Sequence, residues 1–95
     1  MNWKPCAPRP NRVYRNYSGD LYSCLGNSAC TGTARRLFGD DVALDLCDGV
    51  FERLSDHWLV LARNVQVNED GDICWDYSIG GGWRYPGEPT YGEEN

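Results

Sequence analysis

Ninety-five residues make one domain. At that length folding removes only about 60 to 65% of the unfolded surface from water, so the core is small and a second domain is excluded. Apolar residues make up 41% of the chain, with four Trp, six Tyr and two Phe, too many large hydrophobic groups for a disordered protein. The formal charge of −5 is uneven: Lys4, Arg9, Arg12 and Arg15 precede the first acid, and the remainder holds all 14 acids. An acidic body lacks the cationic face that phosphate binding requires, which argues against nucleic acid except through the basic N-terminal arm.

Met1 to Cys6 lacks the apolar run of a secretory signal, and no window approaches the roughly 18 to 20 apolar residues of a membrane span. A cytoplasmic protein without membrane contact is therefore expected. In a reducing compartment the five cysteines act as buried small hydrophobes, thiolates or ligands. Secretion would instead allow up to two bridges and a leftover thiol.

Residues 1–20 hold Pro5, Pro8 and Pro10 and show no helical or strand period. They read as a basic, proline-rich arm, because Pro fixes φ and keeps the residue before it out of helix. Arg9, Arg12 and Arg15 recur every third residue with Tyr14 and Tyr17 nearby, a pattern that suits nucleic acid, an acidic partner or the chain's own acidic body. Residues 21–86 form the single domain and 87–95 an acidic tail. Leu21 to Phe38 is the main helix, with Cys30, Ala34, Leu37 and Phe38 on one apolar stripe and Gly39 closing it. Ser23 caps a start at Cys24, or Asn27 or Ser28 caps a later one.

From Asp41 the period becomes two. Val42, Leu44 and Leu46 alternate with Ala43, Asp45 and Cys47, and after Asp48-Gly49 the run Val50 to Leu54 resumes the strand. His57 to Val67 is apolar on both faces, as in a central strand covered on each side. Asn68-Glu69-Asp70-Gly71 is a turn, and Asp72 to Ser78 returns with Ile73, Trp75 and Tyr77 on one face. Gly80-Gly81-Gly82 reads as a flexible connection. The expected fold is α+β, one main helix packed on a small antiparallel sheet of three to four strands.

A thiol nucleophile needs a Cys in a field that favours thiolate, a His as base and an acceptor that orients the imidazole. The chain offers these in the order Cys24, His57, Asp76. A Cys opening a helix gains from the partial positive charge there and from backbone N–H groups that stabilise an oxyanion. The pieces Tyr22-Ser23-Cys24-Leu25-Gly26-Asn27-Ser28-Ala29, Cys47-Asp48-Gly49-Val50, His57-Trp58-Leu59-Val60 and Gly71-Asp72-Ile73-Cys74-Trp75-Asp76 resemble papain-like cysteine peptidases and their small bacterial and phage relatives. The resemblance implies Cys24 as nucleophile, His57 as general base and Asp76 as orienting acid. It also implies Asn16 or Ser18 as an oxyanion donor beside the Cys24 N–H, and hydrolysis or acyl transfer at amide or thioester bonds.

Strand register decides whether such a set assembles. A tight hairpin at Asn68 to Gly71 makes opposed residue numbers sum to about 139, which places Asp76 opposite Arg63 and leaves it roughly 20 Å from His57. A long loop from Ala62 to Gly71 shifts the register by six and brings the two together. Alternation permits both.

The competing reading is a small acidic interaction or inhibitor protein without catalysis, of the kind carried by phages and mobile elements. Trp3, Trp83 and Tyr85 would bind a protein or peptide partner, and a homodimer is a further possibility for so small a core. No Cys-x₂₋₄-Cys pair and no phosphate-binding glycine loop is present, so neither metal nor cofactor is expected.

Overall fold

In the computed structural model, which describes residues 2–83, the chain runs β1 (Lys4–Pro5), β2 (Val13–Arg15), β3 (Leu21–Asn27), α1 (Gly32–Phe38), β4 (Gly49–Arg53), β5 (Trp58–Arg63), β6 (Gln66–Val67), β7 (Ile73–Cys74) and β8 (Tyr77–Trp83). Every strand pair is antiparallel. Five strands form one sheet in the order β2-β3-β4-β5-β8, and three form a second in the order β1-β6-β7.

The two apolar faces of β5 set the layers. Val60 and Ala62 join Tyr22, Cys24, Phe51, Val65 and Ile73 in a cluster between the two sheets. Leu59 and Leu61 point the other way, with Val50 and Leu25, onto Ala34, Leu37 and Phe38 of α1 and onto Val42 and Leu44. Period-2 alternation along a strand buried on both faces produces this division, as the sequence predicts for this segment.

The expectation of one main helix on a small sheet is overturned: the described chain is 42% strand and its one helix spans seven residues. Leu21–Asn27 is strand because Tyr22 and Cys24 are both buried in the same cluster. On a helix, residues two apart lie about 200° around the axis, so only one of them could face the core. Helix begins only after a turn at Asn27, whose Oδ1 accepts from the N–H groups of Ala29 (3.0 Å) and Cys30 (2.9 Å). The end of the helix is as expected, with Gly39 at φ 110° and its N–H on the Arg35 carbonyl.

Residues 42–48 are not strand either. Val42 and Leu44 do turn inward, but the backbone finds other partners: the Ala43 carbonyl accepts from Arg63 Nη1 (2.6 Å), and Asp45 N–H donates to Asp48 Oδ2 (2.7 Å). Gly80 to Gly82 lie within β8, opposite Val60 and Leu59, rather than forming a flexible connection. A Cβ at Gly80 would run into the indole of Trp58, so the glycine clears room for that ring.

The hairpin from β5 to β8 serves both sheets. Its base pairs Trp58 with Trp83 and Arg63 with Tyr77, while its tip pairs Gln66 with Cys74 and Val67 with Ile73 in the other sheet. Asn64, in the left-handed region at φ 59°, makes the corner. The N-terminal segment lies on the body: Cys6 N–H donates to the Val65 carbonyl (2.9 Å), Pro8 is buried, and Asn27 Nδ2 donates to the Pro8 carbonyl (3.0 Å).

Asp48 holds the corner. Its Oδ1 accepts from Asn64 N–H (3.0 Å), and its Oδ2 accepts from Arg63 Nη1 (2.8 Å). Burial pushes this carboxyl up, but the N–H groups of Asn64 and Asp45 and the Arg63 guanidinium outweigh it and hold the pKa below the ordinary value. Asp48→Ala leaves Arg63 without its carboxylate and lowers stability by about 3 kcal/mol near neutral pH in urea unfolding. A depressed folded-state pKa contributes stability above the unfolded pKa, and that contribution disappears as pH falls through the folded value. The gap between parent and variant therefore narrows in acid.

Candidate functional site

The residues expected to form a catalytic set lie on three different parts of the main sheet. Cys24 is in the middle of β3, opposite Phe51, with no exposed surface, and its thiol donates to the Gly26 carbonyl at 3.3 Å. It opens no helix, and burial pushes its thiol up to about 11. His57 sits in the turn before β5 at φ 63°, with its Nδ1 2.6 Å from Glu52 Oε2. The imidazole is 57% exposed and the carboxylate 6%. Asp76 precedes β8 at the far end of β5, where its Oδ2 accepts from Asn64 Nδ2 (2.8 Å) and its N–H donates to the Arg63 carbonyl (3.0 Å).

This is the tight-hairpin register to within two residues. Six positions along β5 separate His57 from Arg63, roughly 20 Å at about 3.3 Å per residue, so His57 and Asp76 are not brought together. The carboxylate that orients His57 is Glu52, which alternation along Val50 to Leu54 leaves undistinguished from a surface acid. Its signal is the tight turn that folds residue 57 back onto residue 52: His57 N–H donates to the Arg53 carbonyl at 2.7 Å. Asn16 and Ser18 are joined to each other, Asn16 Oδ1 accepting from Ser18 N–H at 2.7 Å in the turn after β2.

A second group of residues does converge. Trp3, Tyr17, Asn68, Asp72, Cys74 and Trp75 line a cleft of about 440 Å³ where the N-terminal strand, the β2–β3 turn and the β6–β7 hairpin meet. Each wall has a local cause. Tyr17 N–H donates to the Ile73 carbonyl (3.0 Å), tying the β2–β3 turn to the outer edge of β7. The Asn68 to Gly71 turn is fixed by Asn68 Oδ1, which accepts from the N–H groups of Asp70 (2.9 Å) and Asp72 (3.0 Å). Pairing of Lys4 with Val67 brings Trp3 alongside that turn.

The aromatic rings pack against one another in pairs. Trp75 is stacked on Phe51 with centroids 5.6 Å apart, and Tyr22 meets it edge-on at 5.1 Å. Trp3 and Tyr17 stand at 78° to one another with centroids 6.3 Å apart, so their planes form a corner. Arg15 reaches from β2 to Asp72, with both Nε and Nη2 2.7 Å from Oδ1. Burial, and then the charge of Asp76, push the Cys74 thiol up, so this wall presents a neutral thiol.

No protein family, curated protein or solved structure matches this chain. The geometry alone therefore ranks the two groups of residues.

Of the sequence's partner-binding candidates, Trp3 lies in the cleft. Trp83 is described only as a backbone position in β8, and Tyr85 and the tail 87–95 lie outside the described residues. Sequence reasoning missed Tyr17, Asp72 and Trp75 as a group. Each stands within four residues of a turn-forming Asn or Gly, a signal that says where the chain reverses but not which reversals meet.

All five cysteines are free thiols, which gives the placement of Cys24 a direct test. Iodoacetamide modifies the exposed Cys30 in the native protein. Cys24 reacts at least about 100-fold more slowly, and only as the chain opens. Peptide-resolved mass spectrometry checks this, and His57→Ala leaves the Cys24 rate unchanged beyond its effect on stability.

Proposed function

We propose that this chain is a small acidic interaction protein that binds a peptide segment of a partner in the cleft of Trp3, Tyr17 and Trp75 and performs no chemistry on it. The observation that carries the reading is the convergence of three aromatic side chains from distant parts of the sequence on one cavity of about 440 Å³. Rigid aromatic surface gives large contact area at small entropic cost, which is why such rings dominate binding surfaces. Size and acidity fit the inhibitors and accessory proteins that phages and mobile elements carry.

A second reading keeps one observation. His57 paired with Glu52 is an oriented imidazole, half of what amide or thioester hydrolysis by a papain-like mechanism requires. It needs a nucleophile within reach, and Cys24 supports it only if β3 opens.

The two readings separate in one experiment. Random peptides displayed for selection on the parent protein, with a Trp3→Ala/Tyr17→Ala variant as counter-selection, yield binders whose affinity falls at least about tenfold in the variant. Both positions are outside the buried core, so the variant keeps its thermal unfolding midpoint within a few degrees. Binders indifferent to these substitutions, or lost on His57→Ala instead, would remove the cleft from the interaction.

A further inference from the structure

Resting on the reading of the cleft as a docking site, we infer that its occupant is an arginine side chain presented by an extended segment of a basic partner protein. Three properties of the walls point to this chemistry.

The first is aromatic. Trp3 and Tyr17 meet at 78°, and Trp75 is fixed by Phe51 on one face and Tyr22 at its edge. Ring faces attract cations, and a guanidinium gains most because its flat, weakly hydrated plane stacks as well as carries charge.

The second is the carboxylate in the wall. Arg15 places both of its bonds on Oδ1 of Asp72, and no described residue donates to Oδ2. Asp72 is only 17% exposed, so an incoming N–H group meets a desolvated acceptor, where a charge-assisted hydrogen bond is strong. The chain's own Arg15, which is 56% exposed, already demonstrates that a guanidinium beds on this acid from the solvent side. A second guanidinium on Oδ2 makes a carboxylate bridged by two arginines, with Tyr17 two residues beyond Arg15 in sequence.

The third is complementarity of charge. Glu69 and Asp70 are exposed in the turn that carries Asp72, against Arg15 and, on β1, Lys4. The whole chain is at −5, so a basic segment is drawn toward this side and an acidic one is repelled. The other polar lining groups add no competing charge. Asn68 Oδ1 is taken by the N–H groups of Asp70 and Asp72, and the Cys74 thiol is neutral.

Three blocked pentapeptides, identical except for Arg, citrulline or Lys at the centre, are the probes. Each is titrated into the full-length ¹⁵N-labelled protein at low salt. The Arg peptide shifts the backbone amides of Tyr17 and Asp72 and the indole N–H groups of Trp3 and Trp75. It binds roughly tenfold more tightly than the citrulline peptide, which has the same shape without the charge, and more tightly than the Lys peptide. Tyr17→Leu, at an exposed turn position, weakens the Arg peptide roughly tenfold while leaving the remaining amide spectrum in place. Asp72→Asn, which keeps the side chain's size, erases the preference for Arg over Lys.

Equal affinity for Arg and citrulline at these residues overturns the inference and leaves the cleft standing as a docking site for neutral segments. Arg-peptide shifts that appear elsewhere and ignore Tyr17→Leu overturn it as well. If none of the three peptides binds, the inference fails, and the display selection decides the docking reading separately.

Discussion

Asn64 turns the chain through a left-handed residue between Arg63, the last residue of β5, and Val65, which belongs to the space between the sheets. Its N–H is held by Asp48, its side chain by Asp76, and Asp48 in turn neutralises Arg63. Because of that corner, one hairpin contributes β5 and β8 to the larger sheet and β6 and β7 to the smaller one. The second sheet is thus a bent-over tip of the first, and the core between them closes on a partly buried ion pair at its hinge. Non-Gly residues adopt positive φ only where the surroundings compensate, and here the Asp48 and Asp76 carboxylates do so.

The cleft follows from the same bend. Folding the tip over places the Asn68 to Gly71 turn and Trp75 beside the β2–β3 turn, and Arg15 on β2 clamps Asp72 across the gap. β1 then adds to the free side of β6 and carries Trp3 to the rim. The aromatic walls are therefore a product of tertiary placement, with each ring in its own segment fixed by ordinary turn and edge-strand bonding.

Where burial alone decides, residues reveal structure in advance. Leu59 to Ala62 shows its two covered faces and Gly39 its helix terminus, while the Asn68 turn offers the observed register as one of two that alternation permits, the one that keeps His57 and Asp76 apart. Leu21 to Phe38 misleads because an apolar stripe of period 3.6 in its second half is real, while its first half carries Tyr22 and Cys24 at period two. A single window averages them into one long helix. Val42 to Leu46 misleads in the opposite way: the alternation does place Val42 and Leu44 inward, but a strand needs a neighbour, and the Arg63 side chain and Asp48 take the backbone groups that a neighbour would. Cys24 is a core position, fully buried in β3 with its thiol pushed up by desolvation, which a lone Cys in a short polar-apolar run does not announce.

Trp3, Tyr17 and Trp75 belong to segments separated by up to 72 positions along the chain, so the cavity exists only in the completely folded protein. Whatever occupies it binds the native state and has no equivalent site on the unfolded chain. By mass action an occupant at a hundredfold excess over its Kd adds about 2.7 kcal/mol to the unfolding free energy. β1 is two residues long and is joined to the smaller sheet by pairing with β6 alone, which makes it the element with most to gain. In a cell, the lifetime of such a chain would track the supply of its partner, because the vacant form opens more often to proteolysis.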